Sequence, residues 1–555
     1  MGQVIGATVS LQIGMSAAAH GARTAFVFPA EDLRLGFAEL DARTDQAARA
    51  LLALGLRRGS RIGLWSVNTS RWLVTALAAA KIGVVFVPIN TSYRRFELDD
   101  VITRSQIDCL FAQSRLAEDA LGGDPLAVDG LTGGRVGGGQ TASCKGVVWL
   151  DGQAADAPAG WEAFLAGADR VGAASLAAAK AEVRPEHDYV VQYTSGTTAR
   201  PKGAVLTHRS VLSAAAAFGQ VMRLSPTDVT CVPLPLFHCY GNVLTLLGGL
   251  IRGSATVYLE HFRARETLDV LERERCTAFM GVPTMYLALV DADGRGRRDL
   301  SALRKGGIGG ACCPPGMTQA IAAELDMDQL TVGYGLSEAS ALCLISPVDA
   351  PAHHRLRTTG FPIPGLEARI LDRATGRAAP PGVVGELLVR GPGVMSRYLD
   401  APEATAAVID PDGWLHTGDL AKRSPDGSYK FAGRVKDIII RAGENISPTE
   451  IEEVLLELPR VRDCQCVGVP DRLRGEEIAC CLITTDGSRL DPGAVRDHVA
   501  RRLARFKVPK HVLTLPAFPL NAAGKVARDR LARVAAAAVA SSGIAESSPV
   551  SDRPL

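Results

Sequence analysis

The amino-acid sequence predicts an α/β fold in which a large, multi-sheet N-terminal domain precedes a small α+β domain. The chain has 555 residues, and one hydrophobic core stops growing at roughly 250–300 residues, so more than one domain is expected. From about Phe26 to Leu420, short Val- and Ile-rich runs alternate with Ala- and Leu-rich segments of helical spacing, as in parallel sheets covered by helices. Beyond Asp419 the elements become shorter and more charged. We therefore predict domains at residues 1–435 and 436–534, followed by a flexible tail at 535–555.

Individual elements follow from the local pattern of residues. The most apolar stretch, Trp72 to Ile89, is interrupted by a lysine, a glycine and a proline, which predicts a buried helix followed by a strand and not a membrane span. Tyr189–Tyr193 is expected to form a strand, and Ser210–Met222 has the apolar spacing of a helix. In the C-terminal part, strands are predicted at Tyr429–Phe431 and Ile438–Ile440.

Composition and charge exclude several classes of protein. With 47% apolar and 22% charged residues, the chain has the balance of a folded globular protein. Lys and Arg number 61 against 59 Asp and Glu, and a net charge of +2 gives no electrostatic footprint for binding nucleic acid. The 12 cysteines lack zinc or redox spacing, and the N-terminus lacks the charged region of a secretory signal, so buried free thiols and no export are expected. We therefore expect a cytoplasmic protein without a membrane span, and leave a homodimer open.

A loop rich in small polar residues is the most informative segment of the chain. From Tyr193 to Gly203 it reads Tyr-Thr-Ser-Gly-Thr-Thr-Ala-Arg-Pro-Lys-Gly, which suits polyphosphate because backbone N–H groups and hydroxyls can donate while lysine neutralises charge. It is not a Walker A motif, since Pro201 precedes the lysine and glycine follows it. An ordinary flexible turn is the alternative, and it explains this ordered set poorly. The candidate phosphate ligands are Thr194, Ser195, Gly196, Thr197, Thr198 and Lys202.

Five further motifs follow this loop in order along the chain. They are Pro-Leu-Phe-His-Cys-Tyr-Gly at 235–241, Gly-Tyr-Gly-Leu-Ser-Glu at 333–338, Asp-Gly-Trp-Leu-His-Thr-Gly-Asp-Leu at 412–420, the segment 433–452, and Asn-Ala-Ala-Gly-Lys at 521–525. With the loop, they make the sequence resemble the adenylate-forming (AMP-binding) superfamily over about residues 25–532. That superfamily includes AMP-forming acyl-CoA synthetases, luciferases and the adenylation domains of peptide synthetases. The segments 235–239 and 440–446 make the chain most similar to medium-chain fatty acyl-CoA synthetases.

This resemblance implies a ligase reaction in two steps, with ATP, Mg²⁺ and CoA as cofactors. A carboxylic acid would attack ATP to form an acyl-adenylate and pyrophosphate, and the CoA thiol would then displace AMP, a reaction of fatty acid metabolism. An alternative enzyme would pass the same activated acid to an amine, a carrier-protein thiol or another nucleophile. A catalytically silent binding protein is a third hypothesis, and the presence of Lys202, Glu338, Asp419 and Lys525 argues against it.

The resemblance also implies roles around ATP. Glu338 would hold Mg²⁺, a hard cation that prefers oxygen ligands. Asp419 would accept hydrogen bonds from both ribose hydroxyls, Arg434 would also reach the ribose, and Tyr334 would pack on adenine. Lys525, delivered by the mobile domain, would stabilise charge that develops on the α-phosphorus as pyrophosphate leaves. The nucleotide-binding candidates outside the loop are thus Tyr334, Ser337, Asp419 and Arg434.

A second set of residues corresponds to the acyl pocket of the superfamily. Its walls are small or apolar, and no Asp or Glu lies between Pro235 and Leu250 to pair with the ammonium group of an amino acid, so an apolar acid is expected. His238 is counted with Lys525 and Glu338 among the catalytic candidates, the alternative being a histidine of the core. The pocket candidates are His238, Tyr240, Gly310, Ala311, Cys312, Gly333, Gly335 and Leu336.

The resemblance further implies a moving C-terminal domain. Lys436 corresponds to the hinge about which that domain rotates, and Arg441, Ala442 and Gly443 correspond to a channel for the pantetheine arm of CoA. Ala442 stands where many relatives have the first glycine of a Gly-Gly pair, although one methyl group is expected to leave the channel passable.

Overall fold

The computed structural model describes residues 6–121, 146–151, 160–194, 201–311, 313–442, 444–471, 473–520 and 526–542. Within these residues the chain is a mixed α/β structure with four sheets, as the sequence predicted. By its contacts it divides into two units, one made of Met1–Ala368, Leu388–Thr417 and Gly427–Tyr429, the other of Arg369–Leu387, Gly418–Asp426 and Lys430–Leu555. The domain boundary predicted at 435/436 stays a prediction.

Two sheets organise the N-terminal unit. Strands are numbered in chain order, and the first 21 include all strands of these two sheets. They are β1 Thr24–Phe28, β2 Leu33–Gly36, β3 Arg61–Trp65, β4 Val85–Pro88, β5 Cys109–Ala112, β6 Val147–Trp149, β7 Asp188–Thr194, β8 Lys202–Thr207, β9 Val229–Val232, β10 Ala255–Tyr258, β11 Ala278–Gly281, β12 Lys305–Ile308, β13 Gln329–Tyr334, β14 Leu344–Ile345, β15 Phe361–Pro362, β16 Glu367–Asp372, β17 Arg377–Ala378, β18 Val384–Arg390, β19 Arg397–Tyr398, β20 Leu415–Arg423 and β21 Tyr429–Arg434. One sheet has the order β15-β14-β13-β12-β11-β9-β10-β1-β2 and the other β19-β8-β7-β4-β3-β5-β6. Their inner strands pair in parallel and the antiparallel pairs lie at the edges.

Helices connect the parallel strands, as this topology requires. In chain order they are α1 Val9–His20, α2 Phe37–Ala53, α3 Ser70–Lys81, α4 Arg95–Arg104, α5 Ser114–Leu121, α6 Trp161–Ala166, α7 Ala173–Glu182, α8 His208–Val221, α9 Leu246–Arg252, α10 Ala264–Arg273, α11 Pro283–Val290, α12 Pro315–Glu324, α13 Ala352–Arg357, α14 Pro402–Ala406, α15 Pro448–Leu455, α16 Pro492–Ala500 and α17 Arg528–Ser542. Among the described residues, none of these helices is both long enough and apolar enough to cross a bilayer.

The predicted buried helix and following strand are α3 and β4. The hydroxyl of Thr69 caps α3 by accepting a hydrogen bond from the N–H of Trp72 at 3.1 Å. Lys81, which interrupts the apolar stretch, is fully buried, and its ammonium group forms ion pairs with Asp41 and Asp45. These carboxylates explain how a lysine is tolerated at the end of a buried helix.

The strand predicted at Tyr189–Tyr193 lies within β7, but the segment after the phosphate loop differs from expectation. Strand β8 was not predicted, because its first two residues, Lys202 and Gly203, belong to the loop motif. The next helix begins at His208 and not at Ser210, because the hydroxyls of Thr207 and Ser210 each accept a backbone N–H of the other, a capping box.

The C-terminal unit contains a long two-stranded ribbon. The remaining strands are β22 Ile439–Arg441, β23 Glu444–Ile446, β24 Val461–Asp471, β25 Gly475–Thr484 and β26 His511–Thr514. Their sheet has the order β23-β22-β25-β24, with β26 also on β25, and a further sheet has the order β17-β16-β18-β20-β21. On one face of the ribbon Cys464 and Cys466 pack in a core with α15 and α16. On the other face Val467 packs with Leu531 of α17.

The prediction of a flexible tail from Ala535 is wrong for the first part of that segment. Residues 535–542 continue helix α17, and Ala535 is fully buried against the ribbon. Alanine has the highest helix propensity, so the Ala run extends a helix once Leu531 is anchored. Residues 543–555 lie outside the described part of the chain.

Candidate active site

The predicted phosphate loop connects two strands that pair with each other. Strands β7 and β8 are antiparallel neighbours, and Thr194 at the end of β7 is the register partner of Lys202 at the start of β8. The Thr194 hydroxyl also donates a hydrogen bond to the Lys202 carbonyl at 3.4 Å. The loop therefore leaves and re-enters the sheet at adjacent positions. Four predicted phosphate ligands, Ser195, Gly196, Thr197 and Thr198, lie outside the described residues.

Lys202 and Glu338 are brought together through Tyr398. Strand β19 pairs with β8 and puts Tyr398 opposite Ala204. The Nζ atom of Lys202 lies 5.1 Å from the centroid of the Tyr398 ring, within the range of a cation–π contact. The Tyr398 hydroxyl donates a hydrogen bond to Oε1 of Glu338 at 2.8 Å. Sequence reasoning predicted the lysine and the glutamate but missed the tyrosine that contacts both.

Glu338 lies in a tight 3₁₀ turn, Ser337–Ala339, which follows β13. Its backbone carbonyl accepts a hydrogen bond from the N–H of Met395 at 2.7 Å. The chain folds back closely here, since a Cβ atom at Gly335 would lie only 2.0 Å from the carbonyl oxygen of Ala341. Only glycine fits at position 335. The turn therefore fixes the position of the Glu338 backbone, from which the carboxylate extends.

A second turn, at 235–241, lies beside the Glu338 turn. The hydroxyl of Ser337 is 3.5 Å from the Sγ atom of Cys239. The turn runs into a π-helix at Tyr240–Thr245, a form that often occurs at functional sites. A Cβ atom at Gly241 would lie 2.5 Å from the Pro235 carbonyl oxygen, so this turn also needs glycine.

Buried amide side chains hold the second turn in place. Gln192 of β7 donates a hydrogen bond to the carbonyl of Phe237 at 2.8 Å, and Asn242 donates to that of Leu236 at 2.9 Å. Asn242 also donates to Gln192 at 3.2 Å. These amides tie the turn to the strand that leads into the phosphate loop. Sequence reasoning missed them because neither belongs to a motif position with a chemical role.

The predicted acyl-pocket residues Tyr240 and Gly333 lie beside Gly309, which was not predicted, at the ends of β12 and β13. The Tyr240 hydroxyl donates to the carbonyl of Gly307 at 3.0 Å, and burial raises the pKa of this phenol, so it stays neutral. A Cβ atom at Gly309 would lie 3.4 Å from the Gly333 carbonyl oxygen and 3.7 Å from the Tyr240 ring. Gly310 adopts φ +83°, which favours glycine. Of the other pocket candidates, Ala311 follows Gly310 directly, Gly335 and Leu336 come directly before the Glu338 turn, and Cys312 lies outside the described residues.

His238 is partly buried within the second turn. Its ring packs on that of Phe237 with 4.5 Å between centroids, and its carbonyl oxygen accepts hydrogen bonds from the N–H groups of Gly241 and Asn242. The backbone of His238 therefore supports the turn. A catalytic or pocket role of its imidazole stays a prediction.

In the C-terminal unit, the predicted ribose-binding residues form an ion pair. Asp419 of β20 is 6% exposed, and its Oδ1 atom lies 3.0 Å from Nε of Arg434 on β21. The N–H of Gly418 donates a hydrogen bond to Oε1 of Glu386 at 3.2 Å. Glu386 was not predicted. The carboxylate of Asp419 is thus oriented by a cation, with only a small part of the residue open to solvent.

The predicted hinge and channel residues have different surroundings. Lys436 is exposed in the 3₁₀ turn Val435–Asp437. Arg441 is largely buried, with Nε 2.8 Å from Oε2 of Glu477 and a hydrogen bond to the carbonyl of Phe506 at 2.7 Å. Ala442 is exposed with φ 51°, and Gly443 lies outside the described residues. The Arg441 guanidinium is thus occupied by protein groups, and its role in a CoA channel stays a prediction.

The loop that carries Lys525 is bounded by described residues, although Lys525 itself lies outside them. Leu520 and Val526 form an isolated antiparallel bridge, so the loop begins and ends at neighbouring positions. Arg528 at the start of α17 then forms an ion pair with the buried Glu452 at 2.8 Å. These contacts anchor both ends of the predicted catalytic loop.

Comparison with known proteins identifies the family. Residues 14–399 match the family described as AMP-binding enzyme, and residues 450–525 match its C-terminal domain. The chain belongs to the AMP-binding enzyme family. It is 34% identical to a putative acyl-CoA synthetase, YngI, of Bacillus subtilis over 96% of this chain and 97% of the relative. It is 31% identical to the mitochondrial medium-chain acyl-CoA ligase ACSF2 of Danio rerio over 92% of this chain and 84% of that protein.

A solved structure agrees with these relatives. The ATP-bound crystal structure of MatB from Rhodopseudomonas palustris has a TM-score of 0.80 and 27% identity, covering 96% of this chain and 99% of MatB. The predicted superfamily, the fold and the ligase class are therefore confirmed: this AMP-binding enzyme is an AMP-forming acid–thiol ligase that uses ATP, CoA and a carboxylic acid. Its cytoplasmic location and a homodimer stay predictions.

Proposed function

We propose that this enzyme activates an apolar carboxylic acid as an acyl-adenylate at the corner formed by Lys202, Glu338 and Tyr398, and then transfers the acyl group to CoA. The observation that carries the proposal is that Tyr398 contacts both Lys202 and Glu338. Lys202 is the cation that would bind phosphate, and Glu338 is the carboxylate that would bind a metal. The Glu338 turn also lies next to the turn that contains the predicted pocket residue Tyr240.

The polyphosphate of ATP is bound by the loop between β7 and β8 and by Lys202. Lys202 is the first residue of β8, directly after the loop. Its ammonium group could therefore neutralise the charge of a phosphate that the loop binds. Glu338 would hold Mg²⁺, because its protein partner is a hydroxyl that donates a hydrogen bond and brings no counter-charge. Among the described residues, no three His, Cys, Asp or Glu side chains group as a metal site. Mg²⁺ would therefore take most ligands from phosphate and water, as is common for this ion, and would neutralise phosphate charge there.

Asp419 and Arg434 bind the ribose. A carboxylate with two oxygens can accept hydrogen bonds from both vicinal hydroxyls, and the ion pair at 3.0 Å holds it in one orientation. Tyr334 would pack on adenine and Ser337 would donate its hydroxyl near the phosphates. Lys525, on its anchored loop, would stabilise the charge that develops at the α-phosphorus.

The acid is apolar and lacks a free α-ammonium group. The predicted pocket residues Tyr240, Gly310 and Gly333 would supply aromatic and small walls, and the turn and helix from Pro235 to Leu250 carry no carboxylate to pair with an ammonium group. A buried, unpaired charge is costly, so an amino acid would be rejected. The medium-chain acyl-CoA ligase among the relatives supports an aliphatic acid and a place in fatty acid metabolism.

The CoA step requires movement of the C-terminal domain about Lys436. Rotation would remove Lys525 from the adenylate and bring the segment that contains Arg441, Ala442 and Gly443 to it, as a gate for pantetheine. The exposed position of Lys436 supports this role, since rotation there breaks no buried contact of its own side chain.

Pyrophosphate release over a panel of aliphatic, aryl and amino acids tests the proposal. We expect release with unbranched aliphatic acids and none with free amino acids. Mass spectrometry of the same reactions, with and without CoA, then tests the acceptor, and the acyl-CoA is expected to replace the acyl-adenylate. An acyl-adenylate that persists with CoA, yet is consumed by an added amine or carrier protein, would reject CoA as the acceptor.

A further inference from the structure

Tyr398 stands between two groups of opposite charge that the proposed function assigns to ATP. Its side chain is almost fully buried, with 7% of the residue exposed. The hydroxyl donates to Oε1 of Glu338 at 2.8 Å, while the face of the ring is 5.1 Å from Nζ of Lys202. One side chain therefore contacts both the metal-binding and the phosphate-binding candidate.

The backbone around Tyr398 is fixed to the same two elements. The N–H of Leu399 donates to the carbonyl of Gly203 at 2.8 Å, next to Lys202 on β8. The N–H of Met395 donates to the carbonyl of Glu338 at 2.7 Å. The neighbouring Arg397 forms an ion pair with Asp188 at the start of β7 at 2.6 Å. The segment 395–399 is thus attached to the Glu338 turn and to both strands of the phosphate loop.

A neutral aromatic residue suits this position for a physical reason. A lysine and a glutamate in one site attract each other, and a direct ion pair would remove both from the ligand. The phenol gives the carboxylate a hydrogen bond without neutralising its charge, and the ring face attracts the ammonium group without a counter-charge.

We propose that Tyr398 is a positioning residue that holds the Glu338 carboxylate ready for Mg²⁺ and the Lys202 ammonium group ready for phosphate. The inference rests on the proposed function, because it takes Glu338 as the metal ligand and Lys202 as the phosphate ligand. The hydrogen bond to Oε1 fixes the orientation of the Glu338 carboxylate.

The test measures ATP affinity by calorimetry with Mg²⁺ and, separately, with the metal chelated. In Tyr398→Phe the ring remains and the hydroxyl is lost, so we expect about tenfold weaker ATP binding with Mg²⁺, the scale of one hydrogen bond to a charged group, and unchanged binding without metal. Tyr398→Leu removes the ring as well, so binding without metal should also weaken. Electron paramagnetic resonance of Mn²⁺ in the ATP complex should report a changed metal environment in Tyr398→Phe.

Tyr429→Phe is the matched control, because its buried hydroxyl also makes a 2.8 Å hydrogen bond, to the carbonyl of Ala368. It should change melting temperature to a similar extent but leave both ATP affinities unchanged. Tyr398→Phe should have no further effect on metal-dependent affinity in a Glu338→Gln background, and this double-mutant cycle answers the question even if the single variant is less stable.

Two outcomes separate the inference from the proposed function. Wild-type protein that binds ATP equally well with and without Mg²⁺ would reject Glu338 as the metal ligand and therefore the proposed function of this corner. Wild-type protein that depends on Mg²⁺, with Tyr398→Phe affecting both affinities equally or neither, would reject the positioning role alone.

Discussion

Two carboxylates proposed to bind ATP are held by partners of different charge. Glu338 accepts a hydrogen bond from the neutral hydroxyl of Tyr398, whereas Asp419 lies 3.0 Å from the guanidinium of Arg434. In the first arrangement the protein partner brings no counter-charge, which suits a carboxylate that binds a metal cation. The second is neutral as a pair, which suits the uncharged hydroxyls of ribose. The charge of the protein partner, more than the carboxylate itself, indicates the ligand.

The same contrast extends to how the two units hold their functional segments. In the N-terminal unit, turns are held by backbone approach that only glycine permits, at Gly335 and Gly241. In the C-terminal unit, charged side chains hold the segments: Arg441 is bound by Glu477, and Arg528 by Glu452. Close backbone packing fixes one geometry, whereas ion pairs can reform after a movement. This difference supports the proposal that the C-terminal domain moves while the turns at Gly335 and Gly241 keep one geometry.

The largest expected effect tests the charge of Glu338. Glu338→Gln keeps the shape and can still accept the Tyr398 hydrogen bond, but it cannot attract a cation. We expect Mg²⁺-dependent pyrophosphate release to fall by roughly 10²-fold or more, the scale for removing one preorganised charged group. Glu324→Gln, at an exposed carboxylate paired with Arg295, is the control and should retain activity. Equal pyrophosphate release by Glu338→Gln and wild type would contradict the comparison.

A smaller effect is expected for Asp419→Asn, because ribose hydroxyls need an acceptor and not a charge. The amide keeps one oxygen acceptor and loses the other, and Arg434 loses its partner. We expect the KM for ATP to rise about tenfold, the scale of a lost hydrogen bond to a charged group, with kcat changed much less. Steady-state kinetics with ATP and with the acid separate these effects. A rise in the KM for the acid alone would mean that Asp419 serves the acyl side.

How far the sequence predicts this site depends on whether a residue acts through a local motif. Lys202, Glu338 and Asp419 stand at fixed positions in short motifs, so the sequence alone indicates their roles. The role of Tyr398 is different, because its contact with Glu338 depends on the pairing of β19 with β8, far apart in sequence. Nothing in its own neighbourhood along the chain signals that contact.

Two differences in the fold come from a helix cap and from a tertiary contact. Helix α8 begins two residues before the predicted Ser210, because Thr207 caps it. The spacing of apolar residues, from which the helix was predicted, carries no information about a polar cap. The Ala run from Ala535 has no polar face to mark a surface helix, yet it packs on the ribbon through Ala535 itself. The parallel order of strands, by contrast, followed correctly from alternation of apolar runs with helical segments.

The third prediction tests whether ion pairs in the C-terminal unit serve movement or only stability. Arg441→Lys keeps the charge but loses the planar fork that contacts Glu477 and the Phe506 carbonyl together. We expect a several-fold slower conversion of preformed acyl-adenylate to acyl-CoA, with pyrophosphate release unchanged. Single-turnover assays of the two half-reactions check this. Equal slowing of both would make Arg441 a stabilising residue without a particular role in the CoA step.

The smallest effect is expected at Ala442. This residue of the C-terminal unit is an alanine in a backbone conformation that favours glycine. Ala442 adopts φ 51°, a left-handed conformation that costs a residue with a Cβ atom roughly 1–2 kcal/mol. Ala442→Gly removes this strain but adds freedom to the unfolded chain, so the net gain in unfolding free energy should be about 1 kcal/mol or less. Its exposed side chain and the hydrogen bond from its N–H to the Arg474 carbonyl at 2.8 Å indicate that no packing is lost. Denaturant unfolding measures the gain, and thioester formation should stay within twofold of wild type, roughly the effect of a fraction of a kcal/mol. A loss of stability would mean that the methyl group is packed in solution, whereas a large gain in thioester formation would mean that it narrows the pantetheine channel.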